Sequence, residues 1–154
     1  MITDIEKACS FTGHRQVEEN FDYARFKEIL TAFIDEGYTH FLCGMAMGFD
    51  MLAAELVIEL KKDRPQIRLI GCVPCEGQSR YFPSAEKERY EKILSKCDEV
   101  KVLSNHYYNG CMLVRDRYMV DNSSLLIAYK RVNEGGTYYT LKYALKQNKR
   151  ICLV

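Results

Sequence analysis

The sequence has little net charge, no long apolar run, few histidines and neither of two familiar nucleotide-phosphate signatures. Its 22 Lys and Arg against 21 Asp and Glu leave a formal charge of +1. A protein that holds long nucleic acid by its phosphates usually carries a marked basic excess, so bulk charge argues against that partner and leaves room only for a local patch. No apolar stretch approaches the ~20 residues needed to cross a bilayer, and the opening MITDIEKAC lacks a signal-type run. No membrane span and a cytoplasmic location are therefore expected. The three histidines are scattered and no second cysteine pair joins Cys72 and Cys75 with zinc-like spacing, so no metal site is expected. Neither GxGxxG nor GxxxxGK followed by Ser or Thr occurs.

Cysteine is plentiful by contrast. The odd count of seven fits a reducing compartment better than a disulfide framework. Cys72-Val73-Pro74-Cys75 has CxxC spacing, but Cys72 falls inside the apolar run 69–73, which reads as a buried strand. A redox thiol belongs at an exposed helix N-terminus, so that chemistry is set aside. The 154 residues, 47% of them hydrophobic, suffice for one domain with a proper core.

Short apolar runs alternate with longer segments of helical spacing. Strands are predicted at Lys7–Phe11, Thr39–Cys43, Arg68–Pro74, Val100–Leu103, Ser124–Tyr129 and Arg150–Val154. Helices are predicted at Asp22–Glu36, Phe49–Lys62, Ser84–Lys96, Met112–Asp121 and Gly136–Gln147. In the first helix Phe26, Ile29, Leu30, Phe33 and Ile34 recur at threes and fours, and Gly37 is placed to cap it. Ser84 opens the third with a fair capping box, its Glu88 one position late. The alternation implies an α/β fold: a single Rossmann-like domain over residues 1–154, with a mostly parallel sheet of about six strands and helices on both faces. Right-handed crossovers put every strand-to-helix turn on one edge, beyond the carboxyl ends of the strands, where such folds bind ligands.

Three glycine turns fall on that edge: Thr12-Gly13-His14-Arg15, the stretch Gly44-Met45-Ala46-Met47-Gly48-Phe49-Asp50, and Gly135-Gly136-Thr137 at the start of the last helix. Glycine permits positive φ and close approach of a ligand. Unpaired N–H groups at a helix start favour an anion, and Arg15 adds a planar cationic fork suited to phosphate. A single such turn is ordinary punctuation; three together point to a phosphate-bearing ligand.

Together SFTGHR, GMAMGFDMLAAE, VPCEGQSRYF, RDRYMVDNSSLLIAY and GGTYYTLKYAL resemble the SLOG superfamily. More narrowly they resemble domain-of-unknown-function family 1273, the YpsA-like group. A remoter likeness is to the DNA-processing DprA proteins. The resemblance implies a Rossmann-like domain that binds a nucleotide or nucleotide-derived ligand in a pocket made by the three turns. Arg115 matches a family arginine leading into Met119-Val120-Asp121, but Asp116 stands where the family often has Asn, which weakens a phosphate contact there. Phe82 matches an aromatic usual four residues after Gln78, leaving a stacking role open. Related cytokinin-activating enzymes carry PGGxGTxxE, whose Glu is the expected acid or base. The corresponding residue here is Thr140, which cannot transfer that proton, so the same reaction by the same residues is not expected.

Asp50 could bind ribose hydroxyls or merely complement a helix dipole. Asp121 could contact ligand or accept N–H bonds in its turn. His14 is favoured for ligand contact over catalysis. Tyr107 and Tyr108 could stack on a base. The candidate ligand set is thus Thr12, Gly13, His14, Arg15, Gly44, Met45, Gly48, Asp50, Arg115, Asp121, Gly135, Gly136 and Thr137. No cofactor beyond a nucleotide-type ligand is implied, no catalytic residue is assigned, and a homo-oligomer is left open. Three functions follow in order: a sensor or regulator binding such a ligand in a bacterial cytoplasm, a hydrolase of an N-glycosidic or phosphate bond using Asp50 or Asp121, and a single-stranded nucleic-acid binder in the DprA manner.

Overall fold

The computed structural model describes residues 4–154; residues 1–3, part of the segment searched for a signal-type run, lie outside the described residues. After a 3-10 turn at Ile5–Lys7 the chain alternates strictly. Strands β1 (Ala8–Gly13), β2 (His40–Cys43), β3 (Arg68–Val73), β4 (Glu99–Val102), β5 (Leu125–Tyr129) and β6 (Arg150–Leu153) are separated by helices α1 (Tyr23–Glu36), α2 (Phe49–Lys61), α3 (Ser84–Ser95), α4 (Cys111–Asp121) and α5 (Gly135–Lys146). The strands form one sheet in the order β4-β3-β2-β1-β5-β6, every neighbouring pair parallel. The chain therefore winds outward from β1 to β4, then returns through α4 to add β5 and β6 on the other side of β1. The direction of winding reverses between β1 and β5, and a crevice opens at such a point.

Side chains alternate across the sheet because the strand period is two. Cys9 and Phe11 of β1, Phe41 of β2, Leu69 of β3 and Leu125, Ile127 and Tyr129 of β5 pack with α1, α2 and α3 in one large buried cluster. The opposite face is thinner. Ala8, Leu42, Ile70 and Cys72 meet Met119 of α4, and Leu126 and Ala128 meet Val120 of α4 and Leu141 and Ala144 of α5. A buried hydrogen bond between the Ser10 and Ser123 hydroxyls, 2.9 Å, satisfies polar groups on that face.

The helix ends show the local rules at work. The Asp22 carboxylate accepts from the Arg25 amide at 2.9 Å, so Asp22 is the cap of α1 and not its first turn. Gly37 closes the helix at φ 123°, in the positive range that glycine tolerates best. The capping box expected at Ser84 is not made. Pro83 takes the cap position with an extended ψ of 150°, which shifts Ser84 into the helix, where its hydroxyl cannot reach forward to the free amides. Strand β1 runs two residues further than the sequence pattern indicates: Thr12 pairs with Ala128 and Gly13 with Tyr129. The turn therefore begins at His14. Among the described residues no helix is long and apolar enough to cross a membrane.

Candidate functional site

At the reversal point lies a cavity of about 430 Å³, within the usual range for a small-ligand site. One wall is the end of β1, from Phe11 to Arg15. A second is the start of α5, Glu134 to Thr137. The third is formed by Met112, Leu113, Arg115 and Asp116 of α4, with Asp50 of α2, Ala46 and Met47 of the preceding loop, and Gln78, Tyr81 and Phe82 after β3.

Nine of the candidate residues line this cavity: Thr12, Gly13, His14, Arg15, Asp50, Arg115, Gly135, Gly136 and Thr137. Gly44, Met45, Gly48 and Asp121 do not. Gly48 sits at φ 84°, and a Cβ there would lie 2.2 Å from the Arg15 carbonyl oxygen. Its missing side chain lets the 44–48 loop lie on the backbone of residues 14–15, an approach also held by the Phe49 amide donating to the His14 carbonyl at 3.0 Å. Met45, at φ 62°, is fully buried in the larger core. Gly44 gives room to side chains of the protein itself: a Cβ would fall 2.8 Å from both Arg115 Nη1 and Asp50 Oδ2. The glycines of the middle turn thus shape the cavity from behind, while its Ala46, Met47 and Asp50 face it. Asp121 ends α4 at the opposite edge of the sheet, exposed, and accepts a hydrogen bond from the Tyr143 hydroxyl at 2.8 Å. Tyr107 and Tyr108, offered for stacking, are also off the cavity wall, whereas Phe82 and Tyr81 are on it.

Gly135 and Gly136 present the reverse of Gly44 and Gly48. A Cβ on either would meet nothing within 4 Å. Gly135 has φ 86° and Glu134 provides no side-chain cap, so the first amides of α5 are left for an outside acceptor. Arg15 is exposed beside the cavity. His14 is tied down: its Nε2 accepts from the Arg131 amide at 2.8 Å, and its ring packs edge-on against Tyr129. Burial and then the charge of Arg131 lower its pKa, consistent with a neutral ring that accepts at Nε2.

The acidic wall is unusual for its depth. Asp50 is 6% exposed and Arg115 5%. Arg115 donates from Nε to Asp116 Oδ1 at 2.7 Å and from Nη1 to the Gly44 carbonyl. The second Asp116 oxygen lies 3.2 Å from Thr140 Oγ1, across α4 and α5, and shares that hydroxyl's one hydrogen with the Gly136 carbonyl at 2.8 Å. Asp50 Oδ2 accepts from the Ala46 amide at 3.3 Å. Burial raises the Asp50 pKa to about 7 in spite of the neighbouring Arg115 charge, and Asp116 adds to the rise. Gln78 braces the same point, donating to the Gly44 carbonyl at 3.3 Å and accepting from Tyr90 at 3.3 Å. Sequence reasoning noted Asp116 only as a departure from a pattern and did not find its bond to Thr140, whose sequence separation of 24 carries no periodic signal.

The CxxC pair is not a redox centre of the usual kind: Cys72 is buried in β3, and that burial pushes its thiol up to about 12. Among the described residues no cluster of metal-ligating side chains occurs.

A doubly wound parallel sheet with a cavity at its reversal point defines the Rossmann-like α/β class. Within that class the chain belongs to the YspA SLOG family, whose profile matches residues 11–152. The UPF0398 protein BH1768 of Halalkalibacterium halodurans is 31% identical over 128 residues, covering 81% of this chain and 68% of that protein. The UPF0398 protein YpsA of Bacillus subtilis is 28% identical over 127 residues, covering 80% and 71%. Two solved structures share the fold. DNA processing protein A from Helicobacter pylori, described as having a unique single-stranded DNA binding mode, superposes with a TM-score of 0.68 at 17% identity over 95% of this chain and 64% of its own. DprA from Streptococcus pneumoniae gives 0.66 at 16% identity over 95% and 49%. The chain spans less than two thirds of both DprA chains.

Proposed function

We propose that the protein binds a nucleotide or nucleotide-derived phosphate ligand in the cavity between β1, α4 and α5, as a sensor or regulator in the bacterial cytoplasm. One observation carries this reading: the open amides of α5 at Gly135 and Gly136 and the Arg15 side chain border the same cavity. Fixed N–H groups at a helix start and a planar cation together suit a phosphoryl group. Phe82 and Tyr81 at the same cavity supply aromatic surface for a base. Membership of a SLOG family and the DprA-like fold are in keeping with a nucleotide-related ligand.

Thermal-shift measurements with a panel of mononucleotides and dinucleotides test it. At 100 times Kd a true ligand stabilises by about 2.7 kcal/mol, and Arg15→Ala is expected to remove most of that shift. The reading fails if no phosphate compound stabilises the wild type. Stabilisation by oligonucleotides alone, falling steeply with salt, would replace it with single-strand binding.

A second reading, hydrolysis of an N-glycosidic or phosphate bond, is favoured by the Asp50 carboxyl group, which stays protonated to about pH 7 within reach of the same cavity. Such a group is suited to general acid work. Chromatography of incubated nucleotides decides it: turnover in the wild type that Asp50→Asn abolishes makes the protein a hydrolase, and no turnover leaves it a binder.

A further inference from the structure

Arg115 is the cation set deepest in the α4 wall, and its position would suit a phosphate fork. Its bonds, however, point into the protein. Nε holds Asp116, Nη1 holds the Gly44 carbonyl, and Nη2 donates to the Met112 sulfur at 4.0 Å. Asp50 borders the same space over Gly44 as the guanidinium, near enough to feel its charge. One cation therefore serves two carboxyl groups, and no positive charge is left over for an anion. The Asp116 carboxylate is also pinned, Oδ1 by Arg115 on its own helix and Oδ2 by the Thr140 hydroxyl on α5, which it shares with the Gly136 carbonyl. A carboxylate has about four lone-pair directions. These two bonds leave acceptor capacity on a side chain that lines the cavity. The α5 side is different in kind. Gly135 and Gly136 are open and Arg15 is exposed, with Glu134 exposed beside them as the acidic neighbour.

We infer that Asp116 is a specificity determinant: it closes the α4 wall to phosphate and makes it a receptor for a neutral hydrogen-bond donor, the adjacent hydroxyls of a sugar ring. The phosphate is then directed to the α5 start and Arg15. This assignment rests on the phosphate-ligand reading above and adds to it an orientation and a chemical class, a ribo- as opposed to a deoxyribo-type sugar phosphate. Bonds from hydroxyls to a fixed, partly buried carboxylate are worth more than those to neutral acceptors. A ligand that lacks the hydroxyls leaves the carboxylate desolvated without a new partner.

Calorimetric titration with adenosine 5′-monophosphate, its 2′,3′-dideoxy analogue and inorganic pyrophosphate tests the assignment. The wild type is expected to bind the ribonucleotide about tenfold or more tightly than the dideoxy analogue. Asp116→Asn is expected to shrink that ratio to about threefold or less and to strengthen pyrophosphate binding, because Arg115 loses its charged partner. Arg15→Ala is expected to weaken both nucleotides while keeping their ratio. Equal binding of the two nucleotides by the wild type overturns the Asp116 assignment while sparing the phosphate reading, as does a ratio unchanged in Asp116→Asn. If the wild type binds none of the three compounds, the Asp116 assignment fails, and the phosphate reading is decided by the wider nucleotide panel above. The wild-type comparison needs no variant, so it stays decisive even if Asp116→Asn does not fold.

Discussion

The loop Gly44–Gly48 and the turn Gly135–Gly136 carry the same signal in the sequence and do opposite things. Both follow a strand and lead into a helix on the carboxyl edge of the sheet. In the first, the space where side chains would stand is filled by the protein: Arg115 and Asp50 over Gly44, the residue 14–15 backbone against Gly48. In the second the space is empty and opens on the cavity. One loop is a packing device that holds the end of β1 in place. The other is the free approach that the first makes possible. Glycine at a turn is thus a statement about closeness, and what comes close is decided elsewhere in the chain.

Substitution can break this contrast. Gly48→Ala is expected to have the largest effect, costing about 3 kcal/mol of stability, because it adds strain at positive φ to a clash with backbone that cannot move aside. A lowered denaturant midpoint at unchanged slope would show it. A cost below about 1 kcal/mol would mean that the two loops do not press on each other. The next effect concerns the buried carboxyl group on the filled side. Asp50 holds its proton to about pH 7 in the folded protein, against an ordinary value of 3.8. Between those values the folded state binds more protons than the unfolded state, so this group's contribution to stability is full below about pH 4 and is lost as the pH rises towards 7. Relative to Asp50→Asn, the wild type should lose up to about 1.4 kcal/mol per pH unit in that window. Denaturation curves of both proteins from pH 4 to pH 8 measure it. A wild type that instead gains on the variant as pH rises would show that Arg115 keeps Asp50 ionised. Gly136→Ala is expected to be the mildest for the fold. With nothing near its Cβ and an ordinary helical position, alanine should add about 0.5 kcal/mol of stability. The same methyl group intrudes on the open side of the cavity, so nucleotide-induced thermal shifts should fall as the apo protein becomes more stable.

Much of the fold was legible because it is periodic. Phe26, Leu30 and Ile34 of α1 are buried at the expected spacing, and the six strands and five helices fall where the apolar runs place them, within a residue or two. The edge that carries the cavity follows from strand–helix alternation and the fixed hand of the crossovers. Legibility ended where contacts become long-range. The pairing of Gly13 with Tyr129 joins residues 116 apart in sequence, so the longer β1 left no local trace. The capping signal at Ser84 was overridden by the proline before it. Asp121 and Asp116 are both carboxylates on α4, and only the packing of α4 on α5 sends one to the cavity and the other to Tyr143.

The order of elements, the parallel sheet and the edge where ligands belong were determined by the sequence itself, since the periods of two and 3.6 are properties of the local chain. The tertiary structure alone decided which glycine turn is filled and which is open, and which carboxylates stand in the cavity. The reason is physical: Arg115 reaches the Gly44 carbonyl across 71 residues, and the occupancy of that space depends on how distant helices settle on the sheet, which no local pattern encodes.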